Sequence, residues 1–343
     1  SLPCPPDELP TQNSEEAIFA ASVEGTTNPT GRIILPPMFP TRQRRRRPAP
    51  APRTLLIFVD GLGLGADDPA VNPIAGGACP TLARWLRRAV PVDARLGVPG
   101  LPQSATGQAT LYAGRNAAAF MGRHVEGMPG PRLRAWVERH NLFRELGHRG
   151  YTATFANAFD TDDLDEVRRR RRVAVTTAAA LSAFGAVRDR RALQAGRAVY
   201  HDLTRAALRA RGYGGPLLTP EAAAAQLIEI ARAHNFTLFE FFESDLAAHR
   251  GDRRELDAVL SKLDRFLAAL APWTRARRGL LALISDHGNL EDLTTRRHTL
   301  NPVPLIARGR GAARLRAGVR RLDDFAPALL GLYPGKEAHG VWR

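Results

Sequence analysis

Leu280-Leu281-Ala282-Leu283-Ile284-Ser285-Asp286-His287-Gly288-Asn289 is an apolar run that ends in an aspartate and a histidine. A strand of this kind is buried on both faces, as in a parallel sheet covered by helices. Open α/β sheets place their ligand crevice beyond the carboxyl ends of such strands. Two more runs have the same form, Leu55-Leu56-Ile57-Phe58-Val59-Asp60 and Phe239-Glu240-Phe241-Phe242-Glu243-Ser244-Asp245. Three strand-end carboxylates are therefore expected to converge at one edge of a sheet.

Histidines accompany them. His249 follows Asp245 by four residues, so a helix starting at the strand end puts both on one face. His287 adjoins Asp286, and His298 opens His298-Thr299-Leu300-Asn301-Pro302-Val303-Pro304-Leu305, in which Val303 to Ala307 reads as another short strand. Each piece alone has a plainer reading, as a helix N-cap or a surface histidine. Together and in this order, Asp60, Asp245, His249, Asp286, His287 and His298 form a mixed carboxylate and imidazole set that suits zinc or manganese. Six ligands are too many for one open catalytic ion and suit two.

With these residues the chain resembles the alkaline phosphatase superfamily, and within it the cofactor-independent phosphoglycerate mutase and phosphopentomutase branch. The resemblance covers Thr54 to Gly61, Gly100 to Gly114 and nearly everything from Phe236 to Gly331. Its most specific parts are Asp286-His287-Gly288-Asn289, Asn301-Pro302-Val303-Pro304 and Leu322-Asp323-Asp324-Phe325-Ala326-Pro327-Ala328-Leu329-Leu330. It implies an α/β fold, a three-layer α/β/α sandwich with a mostly parallel central sheet and a small cap insertion. It also implies that Asp60, Asp286, His287 and the nucleophile hold one metal ion while Asp245, His249 and His298 hold the other.

The nucleophile is sought in Pro102-Gln103-Ser104-Ala105-Thr106-Gly107-Gln108. Set against the family pattern of a serine or threonine with glycine two or three residues on, Ser104 takes the position and Thr106 is the alternative. Both also suit a helix cap, and a helix N-terminus favours an incoming phosphate. A sulfatase would need a modifiable cysteine here, and Cys4 and Cys79 lie elsewhere.

The chain's 343 residues, 44% of them hydrophobic, suffice for one large α/β core with an insertion. No apolar stretch is long enough to span a bilayer. Two cysteines make no disulfide framework, and the start of the chain lacks the layout of a secretory signal, so a cytoplasmic location is expected. The net charge of +15 is carried almost wholly by arginine, with lysine only at Lys262 and Lys336. Aromatic residues do not interleave the basic runs, so no specific nucleic-acid partner and no membrane association are expected. The partner expected is a small phosphorylated substrate.

Residues 1–53, which include the Arg42 to Arg47 run, read as a disordered Pro/Arg-rich extension. The first part of the core then occupies 54–157, a small cap 158–218 and the second part of the core 219–343. Helices are expected near Pro80 to Arg88, over Arg132 to Leu146, over Thr176 to Phe184 and from a Thr219 cap, with a strand over Tyr151 to Asn157. The Gly61-Leu62-Gly63-Leu64-Gly65 turn lacks the rest of a dinucleotide fingerprint.

The mutases of this branch resemble a phosphatase core carrying a large inserted domain, whereas Gly114 to Phe236 has room only for a strand, its helices and a small cap. The expectation is a two-metal phosphohydrolase acting on a phosphomonoester or phosphodiester through a phosphoserine on Ser104. A phosphomutase is the alternative, and a polyanion-binding or regulatory module on a degenerate scaffold is the alternative of another class. Arg115, Arg123, His124, Asn157 and Arg168 to Arg172 are the candidate contacts to an anionic substrate.

Overall fold

The computed structural model describes residues 50–170 and 172–335. The Arg42 to Arg47 run and most of the expected extension lie outside these residues. Six strands form one sheet, β1 (Arg53–Val59), β2 (Val90–Val92), β3 (Ala153–Phe155), β4 (Phe236–Phe241), β5 (Gly279–Ile284) and β6 (Val303–Gly309), in the order β2-β6-β5-β1-β4-β3. The β1–β5, β1–β4 and β3–β4 pairs are parallel, and β6 runs antiparallel to β5 and β2.

Alternate residues of the central strands feed two separate cores. Leu56, Phe58, Phe236, Leu238, Leu280, Ala282 and Ile284 face one. Leu55, Ile57, Val59, Phe239, Phe241, Leu281 and Leu283 face the other. Helices Ser104–Ala113, Pro131–Arg139, Val175–Phe184 and Leu322–Leu330 bring their apolar residues to the first core. Pro80–Leu86, Pro220–Arg232 and Arg253–Leu270 bring theirs to the second. Because helices cover both faces, the strands read as continuous apolar runs rather than as an alternating pattern. This is the three-layer α/β/α arrangement. Among the described residues no helix is long and apolar enough to cross a membrane.

One local expectation is met in detail. The Thr219 hydroxyl accepts from the Ala222 amide, with Pro220 in the first turn. Others are corrected. The helix expected over Arg132 to Leu146 is two helices, Pro131–Arg139 and Leu142–His148, because His140 and Asn141 are extended and Asn141 caps the second through the Arg144 amide. Ala51 and Pro52, read as part of the extension, are buried, and Arg278 donates to the Ala51 carbonyl. The 158–218 segment divides in two. Val175, Ala178, Ala179 and Ala180 join the first main core, while Leu193, Ala198, Tyr200, Leu208 and Tyr213 close over a small core of their own with Ala158.

Candidate metal centre

The carboxyl ends of β1, β4 and β5 lie side by side, and each delivers its aspartate. Asp60 follows β1, and its amide donates to the Phe241 carbonyl at 2.9 Å. After β4 the chain turns into helix Glu243–Arg250, which carries Asp245 and His249 one turn apart. Asp286 and His287 follow β5 and are fully buried. His298 lies in the connection between β5 and β6.

The glycine turn after β1 is shaped by this convergence. Gly61 has φ of +70°, and a Cβ there would sit 2.5 Å from Asp245 Oδ1; a Cβ on Gly63 would sit 2.2 Å from Glu291 Cδ. Only glycine lets the backbone approach these carboxylates so closely. Leu62 donates its amide to Ser285 Oγ at 2.9 Å, and Leu290 donates to the Gly61 carbonyl at 3.0 Å, so the turns after β1 and β5 are tied together.

Two overlapping groups of potential ligand atoms result, Asp60 with Asp286 and His287, and Asp245 with His287 and His298. His287 Nε2 lies 3.0 Å from Ser104 Oγ, 3.3 Å from Asp60 Oδ1 and 3.5 Å from Asp286 Oδ2. His249 Nε2 lies 3.2 Å from both Asp245 Oδ2 and His298 Nε2. His298 Nε2 is 3.8 Å from Asp245 Oδ1, and its ring stacks on His287 with centroids 3.7 Å apart.

The donor set fits divalent metal. His298 Nδ1 is 2.8 Å from the Pro102 carbonyl, and His249 Nδ1 is 2.8 Å from the Arg296 carbonyl. A carbonyl can only accept, so each Nδ1 carries a proton and each Nε2 is the ring atom turned toward the aspartates, the one that would meet a metal, as metal-ligating histidines are commonly held. Asp60 Oδ1, Asp286 Oδ2 and Asn289 Oδ1 are buried without a hydrogen-bond partner. Buried acceptors left this way are costly unless a cation meets them.

The electrostatics agree. Burial, followed by the charge of Asp60, drives the Asp286 carboxyl well above its usual range, and burial also raises Asp60. Burial opposes charge on His287, yet Asp286, Asp60 and Asp245 together push it up to about 10. Asp245 shows the reverse balance. Burial alone would raise it, but the bond from His249, the charge of His287 and the Asn289 amide hold it at about 2. Burial and His287 push His298 down to about 4, leaving that imidazole neutral. A field that favours a proton on His287 to this extent equally favours a dication among the same oxygens.

Ser104 opens helix Ser104–Ala113 beside this cluster. Thr106 is turned into the protein instead, where its hydroxyl donates to the Gln103 carbonyl and accepts from the Val125 amide. Two cavities meet at the centre, and both are lined by Ser104 and Asp245. One of about 490 Å³ is polar, with His249, Arg296, Arg297 and His298 on its wall. The other, of about 550 Å³, runs under the 158–218 segment.

Of the residues expected to contact substrate, Asn157 lines the larger cavity and also clamps β4, accepting from the Glu240 amide and donating to its carbonyl. Arg170 and Arg172 line the same cavity. Arg115 and Arg123 are exposed, and they and His124 are outside the linings of both cavities. Three site residues escaped the sequence reading. Gln108 donates to Asp60 Oδ2 at 3.1 Å. Glu240, whose carboxyl burial and the charge of Asp60 raise to about 8, lines the larger cavity. Glu291 braces the turns after β1 and β5 through four hydrogen bonds. A glutamate inside the Phe239 to Phe242 apolar run was the one available signal for Glu240.

Comparison with known proteins accords with this geometry. Residues 216–330 match the model of the Metalloenzyme superfamily. That segment resembles a metalloenzyme-superfamily core. A 2,3-bisphosphoglycerate-independent phosphoglycerate mutase from Cereibacter sphaeroides is 34% identical over 128 residues, 34% of this chain and 25% of that protein. The chain thus spans about a quarter of the length of that curated relative. A Pyrococcus horikoshii protein of known structure aligns with a TM-score of 0.53 at 14% identity, over 84% of this chain and 99% of the other. The alkaline phosphatase of the Antarctic bacterium TAB5 aligns with a TM-score of 0.50 at 13% identity, with the same coverage. These likenesses establish an alkaline phosphatase-like fold.

Proposed function

We propose that this metalloenzyme is a phosphohydrolase that cleaves a small phosphorylated substrate, a phosphomonoester or phosphodiester, through a phosphoserine on Ser104. The observation that carries the reading is the placement of Ser104 Oγ at the head of a helix, 3.0 Å from His287 Nε2, within a cluster of buried carboxylates. Asp60, Ser104, Asp286 and His287 would hold one divalent ion, and Asp245, His249 and His298 a second, with manganese or zinc suited to the donors. Bound ions supply positive charge to the phosphoryl oxygens and lower the pKa of a coordinated hydroxyl or water.

The chain's own residues then have definite tasks. Ser104 Oγ bonds to phosphorus as the bond from phosphorus to the alcohol oxygen breaks; the serine proton leaves and the departing oxygen gains one from solvent. A water oxygen next bonds to phosphorus, the bond to Oγ breaks and Ser104 regains its proton. The amides of the first helical turn present donors to the phosphoryl oxygens. Gln108 keeps Asp60 in position, and Asn289 does the same for Asp245 by donating at 2.7 Å.

The sequence match to phosphoglycerate mutases supports a second reading, in which the same phosphoserine returns its phosphoryl group to a re-positioned substrate. The test is a panel of phosphomonoesters, phosphodiesters and phosphosugars with manganese or zinc added, followed by trapping and mapping of phosphate on the protein. Phosphate is expected on Ser104, to be lost in Ser104→Ala and retained in Thr106→Ala. Undiminished turnover in Ser104→Ala, or phosphate on Thr106, would overturn the nucleophile. Metal binding without turnover of any ester would favour a binding module.

A further inference from the structure

We infer that the 550 Å³ cavity receives the alcohol half of the substrate, and that this half is a bulky apolar group, aryl or extended alkyl, rather than a second anionic group. The inference rests on the phosphohydrolase reading for the placement of the phosphate and adds the chemistry of what the phosphate is attached to. The cavity starts at the reacting end, since Asp60, Ser104 and Asp245 form part of its lining. From there the apolar part of its wall is built of Met128, Phe155, Phe159, Val173, Phe242 and Leu246.

Three observations separate this cavity from one made for a polyanion. First, Met128 is 53% exposed and Leu246 45% exposed, and they are two of the five large hydrophobic side chains exposed among the described residues. Their clustering on one cavity marks an apolar surface kept open to solvent, as ligand sites do. Second, the nearby cations are largely committed. Arg170 pairs with Glu166 at 2.6 Å, and Arg211 pairs with Asp160 at 3.1 Å. Arg172 is the arginine of the wall without an ion pair among the described residues. Third, the imidazole on this wall acts as an aromatic surface. His201 stacks on Phe242 with centroids 4.5 Å apart, and burial holds it down to about 4, so it adds no positive charge near neutral pH.

A substrate such as a phosphorylated hydroxy acid would have to desolvate its carboxylate against this wall without a matching pair of free cations. An apolar alcohol gains by leaving water there. The polar cavity on the other side of the centre, with Arg296 and Arg297, suits the phosphoryl group's outer oxygens and the approach of water.

The experiment compares esters whose leaving alcohols have similar basicity, so that chemistry does not mask binding. Ethyl phosphate, 2-phenylethyl phosphate and 3-phosphoglycerate are turned over by the full chain loaded with manganese or zinc. In parallel, binding of ethylphosphonate and 2-phenylethylphosphonate, which carry a bond that is not cleaved, is measured by calorimetry. The phenylethyl compounds should be preferred by at least about tenfold in kcat/KM and in affinity. Phe159→Ala should cut that preference severalfold. Met128→Asp, a change at an exposed position that leaves the core untouched, should cut it too. Equal handling of the ethyl and phenylethyl compounds, or preference for 3-phosphoglycerate, would overturn the inference. If no ester is cleaved, the phosphohydrolase reading fails, and the phosphonate affinities alone then decide this inference.

Discussion

Glu291 offers the sharpest test of how the centre is held. It is fully buried and accepts four hydrogen bonds. Oε2 takes the Gly63 amide at 3.0 Å and the Asn289 amide at 2.8 Å. Oε1 takes the Asn301 side-chain amide at 3.0 Å and the Thr299 hydroxyl. Glu291→Ala removes the acceptor from four donors, two of them backbone amides that cannot turn away. At ~1 kcal/mol for each, allowing for partial relaxation and non-additivity, the expected loss is about 3–5 kcal/mol. That is a large share of the ~5–15 kcal/mol that stabilises a typical domain. Glu291→Gln keeps the shape and one acceptor oxygen but aims an NH2 group at donors, and should lose about half as much. Urea unfolding followed by circular dichroism, in chelator so that metal binding does not contribute, measures both. A loss below about 1 kcal/mol in the alanine variant would refute the bracing role, and Glu291→Gln keeps the test open should the alanine variant not fold.

Two other predictions concern chemistry away from the centre. Cys79 is buried, and burial with the charges of Asp264 and Asp257 pushes its thiol up to about 12, so iodoacetamide at pH 8 should leave Cys79 unmodified until the protein is unfolded, as peptide mapping would read. The Arg265 hydrogen bond holds Glu221 down to about 2. Stability from this pair is therefore present above about pH 4.5, the carboxyl's ordinary value, and is lost as the pH falls toward 2. Both partners are about half exposed and screened by solvent, so Arg265→Ala should lower stability only slightly at pH 6 and less still at pH 2, as urea unfolding at the two pH values would read.

The sheet was legible where burial on both faces left continuous apolar runs, as in β1, β4 and β5. The short edge strand β2, Val90–Val92, was not, because three residues with a proline at their centre carry no periodicity. The break at Asn141 escaped because the apolar spacing continues across it, while the capping side chain competes for the backbone. Within the centre, ligand types announce themselves by chemistry and order. Glu291, Gln108 and the apolar cavity do not, since their meaning comes from partners up to 228 residues away in sequence, as the Gly63 to Glu291 bond shows.

The reversal of direction between β5 and β6 has a consequence for how the centre is assembled. With β6 antiparallel to β5, the chain leaves one strand and re-enters the next at the same end of the sheet, so no helical crossover intervenes. Asp286, His287, Asn289, Glu291 and His298 therefore share one connecting loop, pinned at both ends by the sheet. Asp60 and Asp245 arrive separately, from strands that parallel pairing obliges to be joined over long detours. One side of the centre is thus a local module of contiguous sequence, and the other exists only once distant parts of the chain have met.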